Sequence, residues 1–172
     1  MFKFAGILLL MAGCTGLGIN KVAEEKGRIR ELREIRSIII RMQNEMVYGK
    51  RTLPEICLLL GEWAKEPYRS AFTVIFEKME ENDGRVLQVL WEEEMDQCMK
   101  DLPLKEEEKD ILKNLPAQLG IPDETIQAAG IGQSLDMITE HIAKAQTEYE
   151  SKAKVIMSIS IMAGLFLIIL LL

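Results

Sequence analysis

What this sequence most lacks is histidine, and that shortage closes off a class of function; apart from 10 Met the composition is otherwise ordinary for a globular protein. The 172 residues contain one His, five Pro and 6% aromatics. With His141 alone, beside Glu140, there is no H-E-x-x-H zinc pair and no second Glu-x-x-His for a di-iron bundle. The three cysteines, Cys14, Cys57 and Cys98, form no C-x-x-C and no disulfide framework, which suits a reducing compartment. Gly130-Ile131-Gly132 lacks the Lys-Ser/Thr of a phosphate loop and follows no strand pattern. A net charge of −6 excludes nucleic acid as a main partner, because phosphate binding needs a basic surface. Useful runs of alternating apolar and polar residues are also missing, so no sheet is expected. No catalytic residue, cofactor site or metal site emerges, and the chain reads as an interaction protein rather than an enzyme.

What is present is apolar sequence at both ends and helical periodicity between them. Val155–Leu172 is uncharged, and its 18 residues reach about 27 Å as a helix, close to the thickness of a bilayer core. Phe4–Ile19 is also uncharged but contains Gly6, Gly13, Gly16 and Gly18. Three readings of it compete: an uncleaved anchor, a plain cleaved signal, and a lipoprotein signal. Leu10-Met11-Ala12-Gly13-Cys14 resembles a lipobox, and the last reading would make the chain an extracytoplasmic adaptor held through Cys14. The apolar run continues past Cys14 through Leu17 and Ile19, and Lys3 is the single charge before it, which favours the anchor. The division is therefore 1–20 as an N-terminal transmembrane anchor, 21–154 as a soluble domain and 155–172 as a C-terminal transmembrane helix. Neither span holds an ionisable residue, which argues against a proton or ion path. Ala12/Gly16 and Ser160/Gly164 are weak small-residue pairs, and whether the spans pack together stays open.

Basic residues set the expected orientation. Lys21, Lys26, Arg28, Arg30, Arg33 and Arg36 follow the first span, and Lys144, Lys152 and Lys154 precede the second. Positive flanks stay in the cytoplasm, so the domain is expected there, with both termini outside.

Within the domain, Ile29, Leu32, Ile35, Ile39, Met42 and Met46 mark one face of a first helix that stops near Gly49. Thr52-Leu53-Pro54-Glu55 is a capping box opening a second, with Leu53, Ile56, Cys57, Leu60 and Trp63 on its face. Pro67 separates a third helix carrying Tyr68, Ala71, Phe72, Ile75, Phe76 and Met79, which ends at Asn82-Asp83-Gly84. A fourth buries Leu87, Leu90, Trp91, Met95 and Cys98 before Pro103. A fifth starts near Leu104 and is kinked or shortened by Pro116. The sixth, with Asp123 as N-cap, places Ile131, Leu135, Ile138, Ile142, Ala145 and Tyr149 on one face and runs on into the second span. The expected fold is all-α, an antiparallel six-helix bundle between two membrane helices.

Charge divides this domain. Lys21–Arg51 holds 9 basic and 5 acidic residues, whereas Glu77–Asp110 holds 5 basic and 13 acidic. Glu92, Glu93, Glu94, Glu106, Glu107 and Glu108 are the candidate partner-binding residues. Adjacent carboxylates fan around a helix, so they form no catalytic pair, but together they can select a basic partner.

Glu45-Met46-Val47-Tyr48-Gly49 and Leu119-Gly120-Ile121-Pro122-Asp123, with the Arg-rich first helix and the terminal Gly-Leu-Phe-Leu-Ile-Ile-Leu-Leu-Leu, resemble the stage III sporulation protein AB family of endospore formers. The likeness runs the whole length; Cys14 in its lipobox-like setting is the departure. The resemblance implies a domain similar to the six-helix cytoplasmic domains of platform proteins in type II secretion and type IV pilus systems. It further implies a place in a complex joining mother cell and forespore, in the mother-cell-derived membrane, with a cytoplasmic secretion-type ATPase and other subunits as partners and a homo-oligomer as one option. By the same resemblance Glu45, Tyr48 and Gly49 end the first helix, and Leu119, Gly120 and Asp123 shape the turn into the last.

Overall fold

The five prolines all fall between positions 54 and 122, and that distribution is the plan of the molecule. A proline-free stretch can propagate a helix without losing a hydrogen bond, whereas each proline stops or kinks one. The computed structural model describes residues 2–81, 86–119 and 124–171. Among these are seven helices and no strand: α1 Phe2–Val47, α2 Leu53–Trp63, α3 Tyr68–Glu81, α4 Leu87–Met99, α5 Glu106–Lys113, α6 Leu115–Leu119 and α7 Glu124–Leu171. The two long helices occupy the proline-free ends. The four glycines of Phe4–Ile19 do not interrupt α1, and α7 is continuous through Val155, as the missing break implied.

The fifth expected helix is two, giving one more than the sequence reading drew. Pro116 has no N–H to donate to Leu112 O, so an unbroken helix is not available there. Asn114 takes φ −85°, ψ 0° instead, and Pro116 falls in the first turn of α6, where the missing donor costs nothing. The Leu112 carbonyl accepts from the Trp91 indole Nε1–H at 2.9 Å. Asn82–Gly84, the expected turn, and Gly120 and Asp123 lie outside the described residues.

The chain forms two compact units, Met1–Ile29 with Ala143–Leu172, and Arg30–Ile142. In the second, α1 contributes Leu32, Ile35, Ile38, Ile39 and Met42 to the core, all essentially without solvent access. Ile56, Cys57 and Leu60 come from α2, Tyr68, Phe72 and Ile75 from α3, and Leu90, Trp91, Met95 and Met99 from α4. Fully burying such side chains contributes about 1.5–3 kcal/mol each. Phe72 and Trp91 meet edge to face, with ring centroids 5.6 Å apart. On α7 the stripe resolves into a seven-residue repeat: Ile131, Ile138 and Ala145 are buried, while Leu135, Ile142 and Tyr149 are half-buried. Seven stripe positions on α1–α4 are corrected, and Met46, Leu53 and Met79 among them are half-buried. Phe76, Leu87 and Cys98 are only half-buried, and Trp63 is 40% exposed under the Arg41 guanidinium, 5.1 Å from its ring centroid. Each lies at an edge of its stripe, where the 3.6-residue period has rotated the side chain away from the bundle axis.

In the first unit, charged side chains tie α1 to α7 among the described residues. Arg28, 4% exposed, donates to Glu148 at 2.7 Å and to Glu25 at 3.2 Å, and Lys152 also pairs with Glu25. Burial alone would raise the Glu25 carboxyl, but Lys152 and then Arg28 outweigh it and hold it below the ordinary range. With its folded pKa depressed, this clasp is complete above the unfolded carboxyl value and is lost as pH falls through the folded one. Among the described residues no helix is long and apolar enough to cross a membrane. The side chains of 1–21, including Cys14 and the Ala12/Gly16 pair, and those of Ser160 and Gly164, lie outside that description. Of those described near the C-terminus, Val155, Ile159, Met162 and Phe166 are 54–71% exposed, at spacings of four, three and four.

Candidate functional site

The acidic candidates gather where α4 leads to α5, but they do not share one surface. Glu92 and Glu93 are exposed on α4, and Gln88 Nε2 donates to Glu92 at 2.6 Å. Glu94 is half-buried and paired with Lys78 of α3. Glu106 and Glu107 are exposed in the first turn of α5, where carboxylates complement the helix N-terminus. A hydrogen bond from Lys109, 2.8 Å away, together with its charge, pulls the Glu106 carboxyl below its usual range. Lys113 crosses to Asp96 of α4, and that bond raises its ammonium.

Glu108 is corrected outright as a surface candidate. It is fully buried, and its Oε2 accepts the backbone N–H of Lys105 at 2.9 Å as the returning half of a capping box. The triplet could not reveal this, because adjacent helical residues point about 100° apart and only one faces inward. His141 Nδ1 lies 3.6 Å from Glu108 Oε1, too far for a hydrogen bond, in a side chain 18% exposed.

A second site emerges from the turn residues. The α1 terminus is closed by Tyr48 N–H and Gly49 N–H donating to Asn44 O at 2.9 and 3.2 Å, and by Arg51 N–H donating to Glu45 O at 3.1 Å. Lys50 takes φ +50°. The Glu45 carboxylate returns to accept from Arg51 Nε at 3.0 Å. A Cβ on Gly49 would stand 2.7 Å from Glu45 O, and backbone cannot yield as a flexible side chain can. Gly49→Ala should therefore lower stability by about 1–2 kcal/mol, read as a shift in denaturant midpoint; an unchanged midpoint removes the steric argument. The capping box follows directly, with Thr52 N–H and Oγ1–H both donating to Glu55 Oε2, at 2.7 and 2.9 Å. These bonds hold the Glu55 carboxyl low.

Leu119, at the end of α6, comes to the same place. Leu119 is buried, and its carbonyl accepts from Gln127 Nε2 at 2.6 Å, tying α6 to the start of α7. Ser134 Oγ–H donates to Gln118 Oε1 at 3.1 Å, about two turns further along α7. Between the two turns lies a cleft of about 610 Å³ lined by Met46, Val47, Lys50, Arg51, Thr52, Leu53, Leu119, Thr125, Gln127, Ala128 and Ile131. Met46, Val47, Lys50 and Arg51, which flank Tyr48 and Gly49 in sequence, thus line one side, and Leu119 lines the other. Lys50, Arg51 and Gln127 were invisible as site residues from sequence; the signal was only that two turn motifs existed, not that they meet.

Burial pushes the Cys57 and Cys98 thiols up to about 12, the reverse of nucleophile activation. Among the described residues no group of His, Cys, Asp or Glu is placed to hold a metal ion.

Comparison with known proteins places this helical chain in a family. The family model "Stage III sporulation protein AB" matches residues 3–172. The chain belongs to that family. A curated relative, stage III sporulation protein AB of Bacillus subtilis (strain 168), is 25% identical over 171 residues, covering 99% of each chain. A solved structure of a stage III sporulation protein AB shares the fold, with a TM-score of 0.65 at 22% identity, covering 72% of this chain and 97% of that one. The all-α fold expected from the resemblance is therefore the observed one, and the chain is a sporulation protein by family.

Proposed function

We propose that this protein is a non-enzymatic membrane platform in a sporulation complex between mother cell and forespore, and that its α4–α5 corner docks a cytoplasmic secretion-type ATPase. The family match carries this reading, because it spans residues 3–172 and so includes both apolar ends along with the bundle. Supporting it, Phe4–Ile19 and Val155–Leu172 are uncharged apolar runs, the second of membrane length, with basic residues concentrated on the domain side. The exposed Val155, Ile159, Met162 and Phe166 are unsuited to water and suited to lipid. At the corner, Glu92, Glu93 and Glu107 are exposed, and their carboxylates would steer a basic surface inward.

Two measurements test this. A cysteine placed at the exposed Glu80 should react with an impermeant maleimide only after permeabilisation; labelling of intact cells reverses the topology. Glu92→Lys, Glu93→Lys and Glu107→Lys together should weaken ATPase binding and stall sporulation without shifting the melt, while Glu24→Lys with Glu62→Lys should do far less. Equal binding by both sets reduces the corner to solvated surface.

The alternative, an extracytoplasmic lipoprotein adaptor, turns on Cys14. With α1 helical from Phe2 onward, Cys14→Ser should leave size and membrane attachment unchanged. Loss of an incorporated lipid label with a mobility shift establishes the adaptor instead.

A further inference from the structure

The cleft between the α1–α2 turn and the start of α7 has a charge opposite to the α4–α5 corner. Its described lining carries Lys50 and Arg51 and no carboxylate, in a chain with 27 acidic residues. The rest of the lining is mostly apolar, supplied by α1, α2, α6 and α7. The walls are stiff: three backbone hydrogen bonds and a glycine that admits no Cβ set the turn, and Gln127 clamps the other side to Leu119. Glu45 grips Arg51 at 3.0 Å from the α1 side, so the guanidinium is positioned before anything binds, while Arg51 keeps 46% of its side chain exposed. Tyr48, 83% exposed and adjacent to the lining residue Val47, adds an aromatic ring where the turn meets solvent.

We propose that this cleft docks an acidic segment of a partner protein, with apolar side chains entering the cleft and carboxylates meeting Lys50 and Arg51. The apolar lining argues against a free small anion, and two cations are too few for a nucleic-acid track. A preformed pocket with basic residues at its rim favours a peptide in which apolar anchors alternate with acids, because anchors supply affinity and rim charges supply orientation. This partner surface is independent of the corner assigned to the ATPase, and a single bundle then holds two partners of opposite charge.

The test uses the full chain in detergent micelles and an array of short peptides in which net charge and apolar content vary independently. Acidic peptides with apolar residues should bind, neutral and basic ones should not, and affinity should fall as salt rises. Lys50→Gln with Arg51→Gln should weaken binding about tenfold, and Ala128→Trp, which fills the cleft, should abolish it, with melting near wild type for both. If the Trp variant alone misfolds, the exposed Lys50/Arg51 pair decides the matter. Binding indifferent to peptide charge, binding unaffected by the variants, or no peptide bound would overturn the proposal. So would a cleft-dependent self-association, which assigns the site to a second copy, or displacement of peptide by short-chain phosphatidylglycerol, which assigns it to a lipid headgroup.

Discussion

Phe72→Ala is expected to remove about 3–5 kcal/mol of stability, which lowers the melting temperature of a domain this size by roughly 15 °C or more. Phe72 has no solvent access and stands edge to face against Trp91, itself fully buried and anchored by its indole to Leu112 O. Truncation leaves a cavity that Trp91 cannot fill without giving up that bond, and loses the aromatic pair as well. Phe76, one helical turn on, is half-buried, so its alanine variant should cost about 1 kcal/mol. Circular-dichroism melts of the full chain in mild detergent separate the two. Equal losses would show that the α3 stripe is uniformly packed and that the distinction between the residues is wrong.

The second large effect is expected at Arg28. Replacing it with Met removes the cation that bridges Glu25 and Glu148 across α1 and α7, and leaves Glu25 with Lys152. Removing one partner from a fully buried pair costs about 3–5 kcal/mol, but Glu25 and Glu148 keep 15% and 31% of their side-chain exposure, so about 2 kcal/mol is expected here. Hydrogen exchange should report it as amides of 22–29 and 143–152 opening about thirtyfold more often, with exchange in 53–113 unchanged. Adding Glu148→Gln should recover part of the loss, because the carboxylate that lost Arg28 is then neutral. Unchanged exchange in Arg28→Met would mean that the helices are held by apolar contact alone.

These variants also mark where reading the sequence stopped. Phe72 and Phe76 sit on one stripe and are equivalent by periodicity; only the neighbour across from each distinguishes them. The same holds for Cys98 and Met99, where the unpredicted methionine is the fully buried one. Arg28 and Glu148 are 120 positions apart, and no local pattern pairs them. Glu106, Glu107 and Glu108 look alike as a run, yet the second is exposed, the third is buried as a helix cap, and the first is tied to lysines.

Helix content, the long proline-free ends, the breaks between the short helices and most of α1's buried face follow from the chain alone, because each depends on backbone sterics or on neighbours within a few residues. Family membership was legible for a related reason: turn residues such as Gly49 are dictated by local backbone geometry and stay readable as motifs. The division of the acidic run, the Arg28 clasp and the meeting of the two turns at one basic-rimmed cleft were decided only in three dimensions. A side chain's burial, its partner and its charge environment are set by residues distant in sequence, and helical phase alone carries no record of which face those residues occupy.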